Sequence, residues 1–442
     1  MELKLSKHNI ISKIEDSDDF FIVNPLSRNA DIISAEAADA IKDGRYPDEN
    51  ELTEKGYLVD PAEEQKIYRA AYLDFVDERD KEEIQLFYVP TYSCNFNCSY
   101  CYQEGYSHEP KIDHDEVIDS FFKYIDTEFA GRRKYITVFG GEPLLPGEQH
   151  RRKIQKIIIE ANKRGLSLAF VTNAYSLVEY IPLLKTASVR EVQITLDGPE
   201  KIHDSRRMLH GGKGTFTEVV SGIDATLAEG IPVNLRAVMD KENMPHLPEL
   251  ANFAIEKGWT KNPIFKTQLG RNYELHYCQA NSGRLYDRIS MYQDLYHLIQ
   301  KNPDIMEFHR PAFSISRFLF DKGEMPSPLF DSCPGCKSEW AFDYSGRIFS
   351  CTATVGKDGE ELGTFYPEKT LNSEAVSCWQ DRDVTSIPEC RNCELQLTCG
   401  GGCGSAAKNK NGTILSPDCR PVKDLISLGL PIYFGNDSAS EE

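Results

Sequence analysis

Residues 84–101 read IQLFYVPTYSCNFNCSYC. Ile84–Val89 has the composition of a β-strand, and three cysteines follow it directly, at positions 94, 98 and 101. That strand is the first of six. Tyr135–Phe139, Ser167–Val171, Glu191–Thr195, Pro232–Val238 and Ile264–Leu269 repeat the pattern. Helical stretches lie between them, at Asp115–Phe129, Gln149–Lys163, Leu177–Thr186, Thr217–Ala228 and Pro248–Lys257, and a sixth near Tyr286–Lys301 follows the last strand. Ile154, Ile157 and Ile158 mark one apolar face of the second helix. Six successive βα units predict an α/β fold whose parallel sheet curves into a partial (β/α)6 TIM-like barrel, with a doubly wound open sheet as the alternative. In either architecture ligands gather at the C-terminal ends of the strands, which is where the cysteine loop falls.

Upstream of this region, residues 1–83 hold 22 acidic and 11 basic side chains, a net of −11 out of −19 for the whole chain. Two extended segments, His8–Ile14 and Phe20–Val23, precede a short helix capped by Ser34 with Glu36 in its first turn. A second short helix runs from Glu49 to Lys55 and stops at Gly56. Asp60-Pro61-Ala62-Glu63 supplies a capping Asp, a Pro at the first helical position and an acidic third residue, so a helix of about 18 residues follows. Short strands plus three helices fit a small winged-helix-like α+β module, or a cap on the next domain. Downstream, from about residue 330, the chain turns rich in turns and cysteine. Trp340–Ile348 reads as a hairpin through Tyr344-Ser345-Gly346, and the tail Gly435–Glu442 as frayed. The expected units are 1–83, 84–310 and 311–442.

At 442 residues the chain has room for two to four domains. With 50 Lys+Arg against 69 Asp+Glu it is a poor candidate for sequence-independent nucleic-acid binding, which needs clustered positive charge. No apolar run reaches about 18 residues, and the polar, acidic N-terminus does not read as a signal peptide. A cytoplasmic protein with neither nucleic acid nor membrane as partner is expected. Its 13 cysteines then point to metal or redox chemistry rather than disulfides.

Three thiolates on one short loop can hold three irons of a 4Fe–4S cluster and leave the fourth open to a ligand. A zinc site is the alternative, but it normally closes with four ligands. Tyr100, just before the third cysteine, is placed to pack over a planar ligand. The motif Cys94-x3-Cys98-x2-Cys101 resembles the signature of the radical S-adenosylmethionine (SAM) enzymes. Further segments resemble that family's motifs in order, each at a strand end. They are Gly140-Gly141-Glu142-Pro143, then Thr172-Asn173, then Thr195-Leu196-Asp197-Gly198-Pro199, then His203-Asp204-Ser205-Arg206-Arg207. The resemblance implies a SAM-binding 4Fe–4S cluster on Cys94, Cys98 and Cys101. It also implies SAM contacts from Gly140, Gly141, Glu142, Pro143, Thr172, Asn173, Thr195 and Asp197. Arg207, or in another register Arg206, would fork the SAM carboxylate. The two glycines would let backbone approach the ligand.

The run Cys336-x9-Gly346-x4-Cys351, then Cys390-x2-Cys393-x5-Cys399-x3-Cys403, then Cys419 resembles the SPASM extension of a subset of these enzymes. That extension implies two auxiliary 4Fe–4S clusters, three in all. With Cys333 as an eighth ligand, the family's interleaved pattern assigns Cys333, Cys336, Cys351 and Cys403 to one cluster. It assigns Cys390, Cys393, Cys399 and Cys419 to the other. Gly400, Gly401, Gly402 and Gly404 would let backbone wrap around sulfur; a pair of zinc ribbons is the competing reading. Cys278 and Cys378 are left over. Each reads as a buried structural thiol, the sharper reading being a hydrogen-atom donor to substrate.

The implied function is oxidoreductase chemistry on a peptide. The N-terminal segment resembles the leader-recognition module of ribosomal-peptide (RiPP) maturases, with Asn24-Pro25-Leu26-Ser27 and Gly56-Tyr57-Leu58-Val59 as further likeness. The expected reaction is an oxidative cross-link, thioether or carbon–carbon, in a precursor peptide through a 5′-deoxyadenosyl radical, with flavodoxin or ferredoxin as electron donor. The alternatives are an anaerobic sulfatase-maturing (formylglycine-generating) enzyme, a peptide epimerase, or a non-catalytic iron–sulfur or zinc scaffold. The first of these would carry an Asp where this chain has Thr352.

Overall fold

A computed structural model describes residues 3–103, 106, 113–272 and 282–435 of the chain. Cys278 and the tail beyond Gly435 lie outside the described residues.

The N-terminal unit begins with β1 (Lys4–Leu5), β2 (Ile10–Lys13), β3 (Phe20–Asn24) and β4 (Asn29–Ile33), the last three forming an antiparallel sheet. Helix α1 (Ala35–Lys42) starts at Ser34, whose Oγ accepts from the Ala37 amide. Then come α2 (Glu49–Glu54), β5 (Leu58–Val59), which pairs with β1, and α3 (Pro61–Lys81). The Asp60 carboxylate caps α3 by accepting from the Ala62 and Glu63 amides. Strands β1 and β5 escape sequence reading because two residues show no alternation, and β4 because its first three residues, Asn29-Ala30-Asp31, read as a turn.

Two surfaces of this unit are buried against the rest of the chain. Tyr68, Ala71, Tyr72 and Phe75 stand at i, i+3, i+4 and i+7 on α3, one helical stripe, and pack around the fully buried Phe330. Ile10, Ile14, Phe21 and Val23 form a second face with Ile315, Met325 and Ile426.

The central unit opens with β6 (Ile84–Val89) and the short β7 (Phe96–Cys98). It continues with α4 (His114–Glu128), β8 (Lys134–Val138), α5 (Glu148–Lys163), β9 (Leu168–Thr172), α6 (Leu177–Leu184) and β10 (Val189–Thr195). After α7 (Glu200–Arg206) and β11 (Arg207–Leu209) come α8 (Phe216–Ala228), β12 (Val233–Met239), α9 (Leu247–Glu256), β13 (Phe265–Arg271) and α10 (Arg288–Lys301). The sheet order is β13-β12-β10-β9-β8-β6, all parallel, so each strand lies beside the one before it. A doubly wound sheet reverses its order at a switch point; this one does not, and the partial-barrel expectation holds. Apolar alternation sets the faces: Val192, Ile194, Val233, Leu235 and Ala237 join the main core, while Gln193, Asn234 and Arg236 face the other way.

The remaining elements are α11 (Ile305–Phe308), α12 (Ser316–Lys322), β14 (Glu339–Asp343), β15 (Arg347–Phe349), β16 (Gly363–Thr364), β17 (Thr370–Leu371), α13 (Ser373–Gln380), α14 (Gln396–Cys399), α15 (Gly404–Asn411) and α16 (Val422–Phe434). The expected hairpin is β14–β15. Its strand β14 also pairs in parallel with β6, so the barrel sheet runs on into the cysteine-rich region. Among the described residues no helix is long and apolar enough to cross a membrane.

Candidate active site and its cysteine groups

The expected motifs lie at or just beyond the C-terminal ends of barrel strands, the last of them, His203–Arg207, running through α7 into β11. The cysteine loop after β6 is fixed by a ladder invisible in the sequence: β7 pairs antiparallel with β11, with Cys98 opposite Arg207 and Phe96 opposite Leu209. Phe96 is buried against Tyr175, and its amide donates to Cys94 Sγ at 3.4 Å. Burial raises the Cys94 thiol to about 12, with Glu142, Cys98 and Cys101 adding to it. Burial also raises Cys98, to about 11, against the pull of Arg207. Cys94 and Cys98 are thus desolvated, and Cys101 is near enough for its charge to act on both.

The two glycines of the next loop pack closely against protein. A Cβ on Gly141 would lie 2.3 Å from the carbonyl oxygens of Tyr92 and Ser93, and one on Gly140 2.6 Å from that of Thr91. Gly141 N and Glu142 N donate to Thr91 O and Ser93 O, so this loop clamps the segment that leads into Cys94. Glu142 is buried. Its Oε1 accepts from Leu144 N (2.8 Å) and Thr172 Oγ1 (2.7 Å), and its Oε2 from Asn173 N (2.5 Å). Burial raises its carboxyl to about 7 against those bonds. A carboxylate has about four acceptor sites, so Oε2 keeps one for a further donor. Thr172 and Asn173 spend their side chains inside the protein: Asn173 Nδ2 donates to Asn95 Oδ1 (2.8 Å) and towards Cys94 Sγ (3.8 Å).

Asp197 is a hub. Its Oδ2 accepts from Tyr100 Oη (2.6 Å) and Arg206 Nε (3.3 Å), its Oδ1 from Val238 N (2.8 Å). Thr195, buried, pairs in register with Arg236. Arg206 is 2% exposed and saturated, with both Asp240 oxygens at 2.8 Å and Val238 O at 2.8 Å. Arg207 donates to Tyr100 Oη (2.7 Å) and keeps a buried Nε without a partner. Of the two arginines, Arg207 is thus the one with a donor to spend. The Tyr100 ring lies under the guanidinium of Arg206, 5.0 Å away, rather than lying open to a planar ligand.

Three residues not singled out from the sequence also carry unspent donors here. Gln103 Nε2, Gln193 Nε2 and Arg236 Nε are buried without partners. Gly270 on β13 makes room for Arg236, since a Cβ there would meet its guanidinium at 3.0 Å. The charges of Cys101, Arg236 and Cys351 all reach the Tyr102 phenol. The signal was present: on β10 and β12 the strict alternation leaves a Gln and an Arg on the face opposite the apolar core.

The eight downstream cysteines fall into two sets. Cys336 is raised by burial and by Cys351 and Cys333, and Cys351 by burial, Glu339, Cys333 and Cys403. Cys390 is raised to about 12 by burial, then by Cys399, Cys393 and Cys419. Arg382, fully buried, binds the loop between the sets through the carbonyls of Gly401, Gly402, Ile414 and Ser416. A Cβ on Gly404 would sit 3.2 Å from Cys333 Sγ, and one on Gly402 2.0 Å from Asp418 O. Among the described residues no three His, Cys, Asp or Glu side chains converge on a site for a single ion. Cys378 is exposed on α13, which corrects the expectation of a buried thiol.

Residues 88–254 match the Radical SAM superfamily. The chain carries a radical SAM domain. A serine-type anaerobic sulfatase-maturating enzyme of Bacteroides thetaiotaomicron is 24% identical over 77% of this chain and 86% of its own length. A GTP 3′,8-cyclase of Campylobacter fetus is 31% identical over 38% of this chain and 51% of its own. Among solved structures, native anSMEcpe with bound AdoMet superposes with a TM-score of 0.62 at 19% identity, over 80% of this chain and 99% of that one. Streptococcus suis SuiB bound to precursor peptide SuiA superposes with a TM-score of 0.51 at 14% identity, over 95% and 99%. Radical SAM domains bind a 4Fe–4S cluster and SAM. The donor chemistry here fits both: three neighbouring thiols on one loop, a buried carboxylate with an acceptor to spare, and a buried arginine with a donor to spare.

Proposed function

We propose that this chain is a radical SAM maturase that forms an oxidative cross-link, thioether or carbon–carbon, in a ribosomally made precursor peptide. What supports the reading is the eight cysteines outside the matched radical SAM segment, whose mutual charge influences group them four and four, and the docking of residues 1–83 beside them. On this reading Cys94, Cys98 and Cys101 hold the cluster that binds SAM. Glu142 Oε2 accepts from the SAM ammonium, and Arg207 Nε donates to its carboxylate. Cys333, Cys336, Cys351 and Cys403 hold one auxiliary cluster; Cys390, Cys393, Cys399 and Cys419 hold the other. When bound, the reduced cluster and SAM supply a carbon-centred radical that abstracts hydrogen from an unactivated carbon.

The chain's own residues orient and enclose. Glu142 is immobilised by three hydrogen bonds, so its free acceptor points one way. The Asp197–Arg206–Asp240 network, buried throughout, anchors Tyr100 and through it Arg207. Gln103, Gln193 and Arg236 offer donors to acceptors on a peptide backbone. With four thiols for each auxiliary cluster, no iron is left open to a substrate thiolate, which favours outer-sphere electron transfer at those clusters.

The likeness to SuiB supports a peptide substrate and extends over 95% of this chain. That to anSMEcpe covers 80%, so about a fifth stays outside it, the size of residues 1–83. A sulfatase-maturing activity is the second reading, favoured by the 24% identity to the Bacteroides enzyme. Thr352 weighs against it: the position offers a hydroxyl, and its amide donates to Glu339 Oε1 at 2.7 Å. The test is 5′-deoxyadenosine formation by anaerobically reconstituted protein with SAM and reductant, with and without a candidate precursor. Stimulation by the peptide, with two hydrogens lost from it, supports the proposal. Deuterium uptake from D2O at unchanged oxidation level replaces it with epimerisation.

A further inference from the structure

A cavity of about 530 Å3 lies outside the radical SAM site, where the N-terminal unit, β13, α10 and the cysteine-rich region meet. That volume is within the range of roughly 300–1,000 Å3 seen for ligand sites. Its wall is largely apolar, built on buried Met291, Ile315, Met325, Leu397 and Val422.

Its polar groups have one character. Arg271, Arg288 and Arg420 line it, and none of its described lining residues is acidic, in a chain of net charge −19. Arg288 is spent on Asp418 Oδ2 (2.5 Å) and the carbonyls of Asp418 and Cys419. Arg271 donates to Tyr286 O (2.5 Å). Arg420, half-buried, has no hydrogen-bond or ion-pair partner for its guanidinium among the described residues. Tyr292 lies in the same lining; burial raises its phenol, and the charges of Arg420, Arg288 and Arg271 oppose that, Arg420 most strongly. Thr398 also lines the cavity, and its buried Oγ1 has no partner. Two donors without acceptors, the Arg420 guanidinium and Thr398 Oγ1, set with the Tyr292 hydroxyl in an apolar wall, ask for a ligand that brings a carboxylate on an apolar frame.

The cavity is also tied to the radical SAM site by adjacent residues. Arg271 lines the cavity, while the next residue, Asn272, donates through Nδ2 to Asp240 Oδ2 at 3.1 Å, in the network that holds Arg206.

We propose that this cavity anchors the substrate peptide by a carboxylate, with Arg420, Tyr292 and Thr398 as its donors and neighbouring apolar side chains of the peptide along the wall. The inference rests on the peptide-maturase reading and names its substrate class: a peptide with an acidic residue or acidic terminus among apolar ones. It runs against the overall charge, which by itself favours a basic peptide.

The test is fluorescence anisotropy on the full reconstituted chain with three labelled decapeptides of one apolar framework. The first carries an internal Glu and an amidated end, the second Gln and a free terminal acid, the third Gln and an amidated end. The proposal expects the first or second to bind at least tenfold more tightly than the third; which of the two does so identifies a side-chain or a terminal carboxylate. Arg420→Gln lowers that affinity at least fivefold, Arg420→Lys recovers part of it, and Tyr292→Phe lowers it with iron content unchanged. Equal binding of all three peptides overturns the proposal. So does wild-type affinity in both Arg420→Gln and Tyr292→Phe, or complete displacement by 10 mM inorganic phosphate at a peptide concentration well above its dissociation constant (on the order of one hundredfold). Carboxylate-selective binding without any SAM-dependent change in a precursor sinks the maturase reading and leaves the cavity assignment standing.

Discussion

Arg207 stands directly opposite Cys98 in a three-residue antiparallel ladder. One short strand pair therefore fixes the spacing between a cysteine of the proposed SAM-binding cluster and the arginine proposed to hold the SAM carboxylate. The neighbouring Arg206 is committed to Asp197 and Asp240. The two adjacent arginines thus differ: one is spent on a buried ion network, and the other keeps a buried Nε without a partner.

Substitution separates them. Arg206→Leu breaks a buried ion network and should cost about 3–5 kcal/mol, because Asp197 loses its counter-ion and Asp240 keeps only Arg284. Arg207→Gln should leave a folded protein with its clusters and weaken SAM binding about tenfold, the order of one charge-assisted hydrogen bond. Urea melts and equilibrium dialysis with labelled SAM read the two effects; comparable losses of stability in both variants would contradict the division.

The two cysteine sets make an arithmetic prediction. Full reconstitution should give roughly twelve irons, four for each cluster. Cys403→Ser and Cys419→Ser should each remove about four, and combined about eight, while Cys336→Ser with Cys403→Ser removes only about four. Iron assay with Mössbauer spectroscopy checks this, and additive loss within one set would dissolve the grouping.

Docking of the N-terminal unit depends on Phe330, fully buried among Tyr68, Tyr72 and Phe75. Phe330→Ala should cost about 3–5 kcal/mol. Tyr72→Phe, which loses the 2.8 Å bond to Asp383, should cost about 1 kcal/mol. Limited proteolysis near residue 83 should quicken in the first variant far more than in the second.

Acid should loosen the same unit through His8. This ring is 0% exposed, stacks on Tyr68, has no partner for either nitrogen, and is lowered from 6.5 to about 4 by burial and Lys7. The unfolded chain binds the proton first, so stability is full above pH 6.5 and falls as the pH drops towards 4. The loss is on the order of 3 kcal/mol. His203 and His309 shift the same way, so the informative quantity is a difference. His8→Phe should be as stable as the parent at pH 7.5 and lose less at pH 5 in urea melts.

How much of this the sequence carries depends on the range of the contact. Asp60-Pro61 marks the start of α3 because capping is local, and the six barrel strands show because each is a run of five or more residues. The pairing of Trp340 with Leu86, which joins the cysteine-rich region to the barrel sheet, is invisible because register between distant strands leaves no local mark. The β7–β11 ladder escapes because three residues show no period. The motifs name the residues, and the structure adds contacts that no motif shows. Gly141 yields to the Tyr92 and Ser93 carbonyls, and Asn173 is spent on Asn95. A motif names which residues cluster, and the tertiary bonds decide which of their atoms stay free.

The central claim is that an oxidised bond is made within a peptide. The direct measurement is tandem mass spectrometry of a candidate precursor after incubation with reconstituted protein, SAM and reductant, followed by treatment with a hydrazide. The account predicts a product lacking two hydrogens, inert to the hydrazide, with no fragments between the two joined residues. A hydrazide-reactive aldehyde with an uninterrupted fragment series would contradict it and assign the chain to formylglycine formation.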